Sequence, residues 1–279
     1  MKNLEPYNDD CFEFHAHVVN KKNIRKDDPD YKGRLSALDP VIENLFKKYS
    51  DLISTENLES IKPYKLDIQE RKDLLLLYRF GSKPLQELLI KLTTLEGRKF
   101  NTCQMCTIEP VGSFDHILPK EKFPEFSVNP INLLPSCKTC NGKKSDRWLE
   151  NNERIFFNLY YDLLPDAQFL KVNFNSYPIP EFSIDKLTLP SDFYRLAQSH
   201  YKELNLFQRF RENSSEVIDS IFSNAKSLVP KIGFEEYKNT VIESSDEMRI
   251  IYGLNHWKYL LKVAIVSHKE FMNYLNDKV

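Results

Sequence analysis

The sequence predicts an α+β protein, mostly helical, with a small cysteine-bearing module embedded between helical flanks. Three observations carry that expectation. Glycine is scarce, seven in 279 residues, which suits helices and leaves few tight hairpins. Apolar residues recur at helical spacing through the first hundred residues and again from Pro190 onward. Between these flanks, Cys103–Asp146 gathers four of the five cysteines together with Gly112 and Gly142, so its backbone differs from the rest.

In the N-terminal flank, Asn8 or Asp9 can cap a helix carrying Phe12, Phe14, Val18 and Val19. LDPVIENLFKKYSDLI follows with Pro40 near its first turn and Val41, Leu45, Phe46 and Leu52 as candidate core. ERKDLLLLYRF and KPLQELLIKLTTL read as two short helices separated at Gly81-Ser82. After the cysteines, WLENNERIFFNLYYDLL is ambiguous between helix and strand, while QFLKVNF and EFSIDKL read as strands split by NSYPIP. SDFYRLAQSHYKELNL, SSEVIDSIFSNAKSL and HWKYLLKVAIVSHKEFMNYL return to helix, the second with a Ser cap and the third strongly apolar. The expected organisation is a helical region at 1–96, a cysteine-bearing core at 97–155, and a mainly helical region with a short β segment at 156–279.

Hydrophobic residues make up 41% and charged residues 28%, the composition of a soluble globular chain, and the formal net charge is -1. No global positive field advertises nucleic acid, so any such surface is local. MKNLEPYNDDCFEF has no apolar signal-like core, and no apolar run approaches a membrane span. The expectation is a cytoplasmic protein without a membrane partner. There cysteines stay reduced, and paired CxxC elements favour metal over disulfide.

Cys103-x2-Cys106 and Cys137-x2-Cys140 place four thiolates in two knuckles, the donor set of a closed tetrahedral Zn²⁺ site with no open position for water. That zinc is structural, and much of the segment's folding energy comes from it. Iron–sulfur ligation also uses four cysteines, but separated knuckles suit zinc better. Between the knuckles, SFDHILP gives a short apolar strand with Asp115 and His116 on opposite faces. Asn132 precedes the second knuckle, and Asn141 follows Cys140 where a helix can start. Lys138, Lys143, Lys144 and Arg147 cluster beside Asn141 and are candidate phosphate contacts, against the plainer reading of a solvated helix face. Lys120 and Lys122 are weaker candidates, and the Phe123–Phe126 loop is core packing.

These residues resemble the HNH endonucleases. Carrying the resemblance are Cys103/Cys106, Asp115-His116-Ile117-Leu118-Pro119, Asn132-Leu133, Cys137/Cys140, Asn141 and Lys144, in that order over about fifty residues. It implies a zinc-stabilised ββα-metal nuclease core. Asp115 and Asn141 would hold one catalytic divalent cation, Mg²⁺ or Mn²⁺, His116 would be the general base, and Asn132 would orient it. Asn141 stands where the family's name has its final His, and an amide oxygen suits a hard cation. The residue chemistry fits those roles: an unperturbed His titrates at about 6.5, close to neutrality, and can accept a proton from water. A carboxylate and an amide oxygen leave most of a Mg²⁺ shell open for water and phosphate.

The preferred expectation is a metal-dependent nuclease acting on DNA, with RNA as the alternative substrate. The competitor is a catalytically silent zinc-ribbon module binding nucleic acid or protein, which has no need of Asp115, His116, Asn132 and Asn141 together. Large helical flanks with near-zero charge suggest a protein partner. The arrangement is similar to nuclease subunits of bacterial anti-phage systems, and in Septu-type systems such a subunit works with a separate ATPase. Elsewhere, His15 and His17 lack an apparent third ligand, His200, His256 and His268 are assigned to packing or surface, and Cys11 to a buried thiol. No Walker motif, GxGxxG or nucleophile elbow is present.

Overall fold

The computed structural model describes residues 1–23, 26–95 and 97–277. The chain divides into two compact units: Asn3–Met105 with Glu109–Leu163, and Leu164–Val279 with Met1–Lys2 and Cys106–Ile108. The expected segments 1–96 and 97–155 therefore fall largely together in the first unit, apart from those short stretches.

The first unit opens with α1 (Cys11–Asn20), capped by Asp10, whose carboxylate accepts from Phe12 and Glu13 N–H groups. Asp10 takes the role expected of Asn8 or Asp9 because it directly precedes the first helical turn. Helix α2 (Tyr31–Ser54) starts well before the predicted stretch, so Pro40 lies inside it on the exposed face, where solvent reaches the exposed Ser36 whose carbonyl loses its helical N–H partner. Those extra turns shift the buried stripe to Leu35, Leu38, Ile42, Phe46, Tyr49 and Ile53. Of the expected core residues here only Phe46 is buried; Val41, Leu45 and Leu52 are half-buried. Helix α3 (Ile68–Leu77) begins with a capping box from Asp67 and Glu70, and the Arg34 guanidinium ties α2 to it by bonding both Asp28 and the buried Asp73. Helix α4 (Lys83–Thr93) has Pro84 in its first turn and leads into a hairpin of β1 (Thr94–Leu95) and β2 (Arg98–Lys99).

Strands β3 (Ser113–His116) and β4 (Leu133–Ser136) then pair antiparallel, Ser113 opposite Ser136 and His116 opposite Leu133, and α5 (Lys138–Lys144) follows. Pro135 is tolerated in β4 because a strand of a two-stranded ribbon has one side outside the ladder. Both strands are almost wholly buried, which a bare ribbon could not be. The Phe123–Phe126 turn supplies part of the cover, its Phe126 ring lying 5.0 Å from that of Tyr49 and 6.1 Å from Phe46. The ambiguous segment resolves as a hairpin of β5 (Leu149–Glu150) and β6 (Glu153–Arg154). Asn151 and Asn152, both at positive φ, form the turn that twists two strands together. Beyond it, Tyr160 donates its hydroxyl to the Leu133 carbonyl at 2.7 Å and closes over β4.

The second unit contains the antiparallel pair β7 (Leu170–Ser176) and β8 (Ile179–Ile184), as expected, followed by α6 (Ser191–Glu203), α7 (Leu206–Glu212), α8 (Ser215–Ile232), α9 (Phe234–Tyr252), α10 (Trp257–Ser267) and α11 (Phe271–Asp277). The terminal stretch read as one helix is two. His268 is held in extended backbone, its ring stacked 4.5 Å from that of Tyr177 and its Nδ1 accepting from Glu270 N–H. No helix among the described residues is long and apolar enough to cross a membrane.

Candidate active site

The four knuckle cysteines are buried, and their sulfurs all lie within 4.8 Å of one another. Backbone N–H groups point at two of them, Ile108 to Cys106 Sγ at 3.4 Å and Cys140 to Cys137 Sγ at 3.3 Å, as thiolate ligands require. Four soft donors converging in a buried shell fit structural zinc. The second knuckle doubles as the start of α5, since Cys137 is its N-cap.

This hinge lays α5 against β3. Asn141 donates its Nδ2 to the Phe114 carbonyl at 3.1 Å, and one turn later Lys144 donates to the His116 carbonyl at 2.6 Å. A carbonyl only accepts, so the amide is oriented and Oδ1 remains its oxygen donor. Lys144 departs from the expected surface cluster: it is 2% exposed, and its ammonium lies 3.4 Å from Asp115 Oδ2. Lys138, Lys143 and Arg147 are exposed, Arg147 resting above the Phe156 ring. Burial pushes the Asp115 carboxyl up to about 6, with Lys144 opposing the shift. Next to Asp115 lies a 20 Å³ cavity between Ile117, Trp148 and Phe156.

His116 points the other way, as strand alternation requires. Its Nε2 lies 2.9 Å from the Ser127 carbonyl, so Nε2 carries the hydrogen and Nδ1 keeps its lone pair. Burial lowers its pKa to about 3, so the ring is neutral near pH 7. The Tyr78 ring meets the imidazole edge-on at 4.5 Å, and the Tyr78 hydroxyl donates to the Phe114 carbonyl at 3.3 Å.

Asn132 does not touch the imidazole. It clamps the chain just past His116: Oδ1 accepts from Leu118 N–H at 2.7 Å and Tyr49 hydroxyl at 3.0 Å, while Nδ2 donates to the carbonyls of Leu118 and Phe126, both at 3.1 Å. Its own carbonyl accepts from Ile117 N–H. The structure thus brings His116 and Asn132 into one hydrogen-bonded loop, and Asp115, Asn141 and Lys144 onto the seam of β3 and α5. Tyr49, Tyr78, Ser127 and Tyr160 also build the site, yet no motif marks them; Tyr49 lies 83 residues before its partner. Outside the site, His15 and His17 sit on α1, His15 buried and His17 exposed. Cys11 is half-exposed at the edge of α1, not buried as expected.

Comparison with known proteins agrees with this geometry. Residues 103–147 match the HNH endonuclease family. The chain is 26% identical over 234 residues to protein ea31 of Escherichia phage lambda, covering 77% of this chain and 75% of that protein. It is 45% identical over 60 residues to Septu protein PtuB of Bacillus thuringiensis, covering 20% of this chain and only 23% of that relative. No solved structure matches the chain. Residues 103–147, with their paired strands, short helix and buried cysteines, are an HNH endonuclease domain carried within a longer chain.

Proposed function

We propose that this chain is a metal-dependent endonuclease that hydrolyses DNA phosphodiester bonds, working in anti-phage defence with a separate ATPase subunit. The observation that supports it best is the state of His116: a neutral imidazole whose Nε2–H is engaged by Ser127, leaving Nδ1 as a proton acceptor. A phosphodiester brought beside it carries negative charge, which favours the imidazolium and so raises the basicity of the ring when substrate arrives. Asn132 holds the Ile117–Leu118 turn and thereby the strand end bearing His116.

Asp115 and Asn141 are the residues that would hold Mg²⁺ or Mn²⁺. The donor types fit a hard cation: a carboxylate oxygen and an amide oxygen left over after the Nδ2 bond, with the ion taking the place of the Lys144 ammonium now 3.4 Å from Asp115. Such an ion, when bound, supplies Lewis-acid stabilisation of charge on the phosphate oxygens. Exposed Lys138, Lys143 and Arg147 would attract the backbone without reading sequence. The defence role and ATPase partner rest on the likeness to the Septu protein, which covers only the segment around the site.

The test is incubation of the zinc-loaded chain with plasmid DNA and with RNA of matching sequence, in Mg²⁺ or Mn²⁺ and in chelator. The expected result is nicking and linearisation of DNA that chelation of the divalent ion stops. Faster cleavage of RNA would move the substrate; cleavage of neither, with or without an ATPase partner, would return the chain to a silent zinc module.

A further inference from the structure

A single hydrogen bond does not fix an imidazole. The ring can still rock about the Nε2···Ser127 axis, and a general base must hold its lone pair on one line. The fold supplies the missing restraint from outside the matched domain. Leu74 lies in the last turn of α3, and Tyr78 is the residue that ends it, in extended backbone. From this helix end the Leu74 carbonyl accepts the Ser127 hydroxyl at 2.8 Å, fixing the residue whose own carbonyl holds His116. The Tyr78 ring stands edge-on to the imidazole, at 71° and 4.5 Å between centroids.

We propose that Tyr78 is a positioning residue for His116, its ring setting the imidazole plane and its hydroxyl pinning that ring to the strand that carries His116. The hydroxyl donates to the Phe114 carbonyl, two residues before His116 in β3, so ring and strand move as one piece. Burial keeps the phenol protonated and able to donate. Tyr78 is only half-buried, so filling a core is not what it chiefly does. The proposal rests on His116 being the base, but its first readout does not.

The experiment compares zinc-loaded wild type, Tyr78→Leu and Tyr78→Phe, each with ¹⁵N-labelled histidine, by the ring-nitrogen spectrum of His116 and by DNA cleavage kinetics. Wild type should show one tautomer with the hydrogen on Nε2. Tyr78→Leu should broaden or mix the His116 signals and lower kcat by about 10²-fold, the loss expected of a misaligned group, with KM for DNA unchanged. Tyr78→Phe should keep the tautomer and lose only about 2- to 10-fold in kcat, the worth of one hydrogen bond. A wild-type His116 spectrum and kcat in Tyr78→Leu would overturn the proposal, as would a loss confined to KM. If Tyr78→Leu fails to retain zinc or to fold, Tyr78→Phe decides, and an undiminished kcat there counts against the proposal. If wild type cleaves neither DNA nor RNA, the nuclease reading falls, while the His116 spectrum still judges Tyr78.

Discussion

Asn132 uses both lone pairs of its amide oxygen and both hydrogens of its nitrogen, and all of its partners are protein groups. Its side chain is fully buried, so removing it leaves the Leu118 N–H and carbonyl without that partner where water does not reach, and the Phe126 carbonyl with only the Asn129 N–H. Asn132→Ala should therefore destabilise the zinc-loaded chain by about 3 kcal/mol, and Tyr49→Phe, which removes one of the four bonds, by about 1 kcal/mol. Urea unfolding measures both. A loss in Asn132→Ala no larger than in Tyr49→Phe would show that the clamp carries little. At this scale the sequence was partly legible. His116, Asn132 and Asn141 announce themselves because one short stretch holds them all. Lys144 reads as a surface lysine, since nothing local says that Asp115 and the His116 carbonyl will draw its ammonium inward.

At the scale of elements, α1 shows what periodicity captures and what it leaves out. The spacing marks Phe12, Phe14, Val18 and Val19; the last three are buried and Phe12 is half-buried, but His15 joins the buried face with 0% exposure. It packs between the rings of Phe12 and Phe46, and neither ring nitrogen has a hydrogen-bond partner. Burial lowers its pKa to about 4, against about 6.5 when unfolded. The unfolded chain thus takes up the proton first on acidification. Stability is undiminished above about pH 6.5 and falls as pH drops toward 4, by about 3 kcal/mol at most from this residue. His15→Leu, which buries no orphaned nitrogen, should be neutral or stabilising at pH 7 and should flatten the stability loss between pH 6.5 and 4. Thermal unfolding across that range checks it, and an unchanged acid slope would show that His15 is not buried neutral. Other elements hid from the sequence for physical reasons. The Asn151-Asn152 turn made a hairpin out of a stretch whose aromatic content suits helix or strand equally. The last helix is interrupted by the stack of His268 on Tyr177, a contact between residues far apart in sequence.

Across the whole molecule, the HNH segment is the part that a local motif can specify, and it does not stand alone. Its two strands are buried by groups from α2, α3 and the loop beyond β6, through Tyr49, Tyr78 and Tyr160. Helical flanks could be read from periodicity, but which of their side chains reach β3 and β4 is decided by packing that no spacing rule encodes. This dependence gives the flanks a structural role at the site: they hold His116 and its clamp in place. With a net charge of -1, any attraction for phosphate is local, and the exposed cluster Lys138, Lys143 and Arg147 beside the site would supply it. The central claim remains that His116 removes a proton during phosphodiester hydrolysis. Its most direct test is the cleavage rate of His116→Ala beside wild type at equal zinc content, in Mg²⁺ and under single-turnover conditions. Loss of a general base should slow cleavage by about 10²- to 10⁴-fold while DNA binding holds. Equal rates in the two proteins would place the chemistry elsewhere and contradict the account.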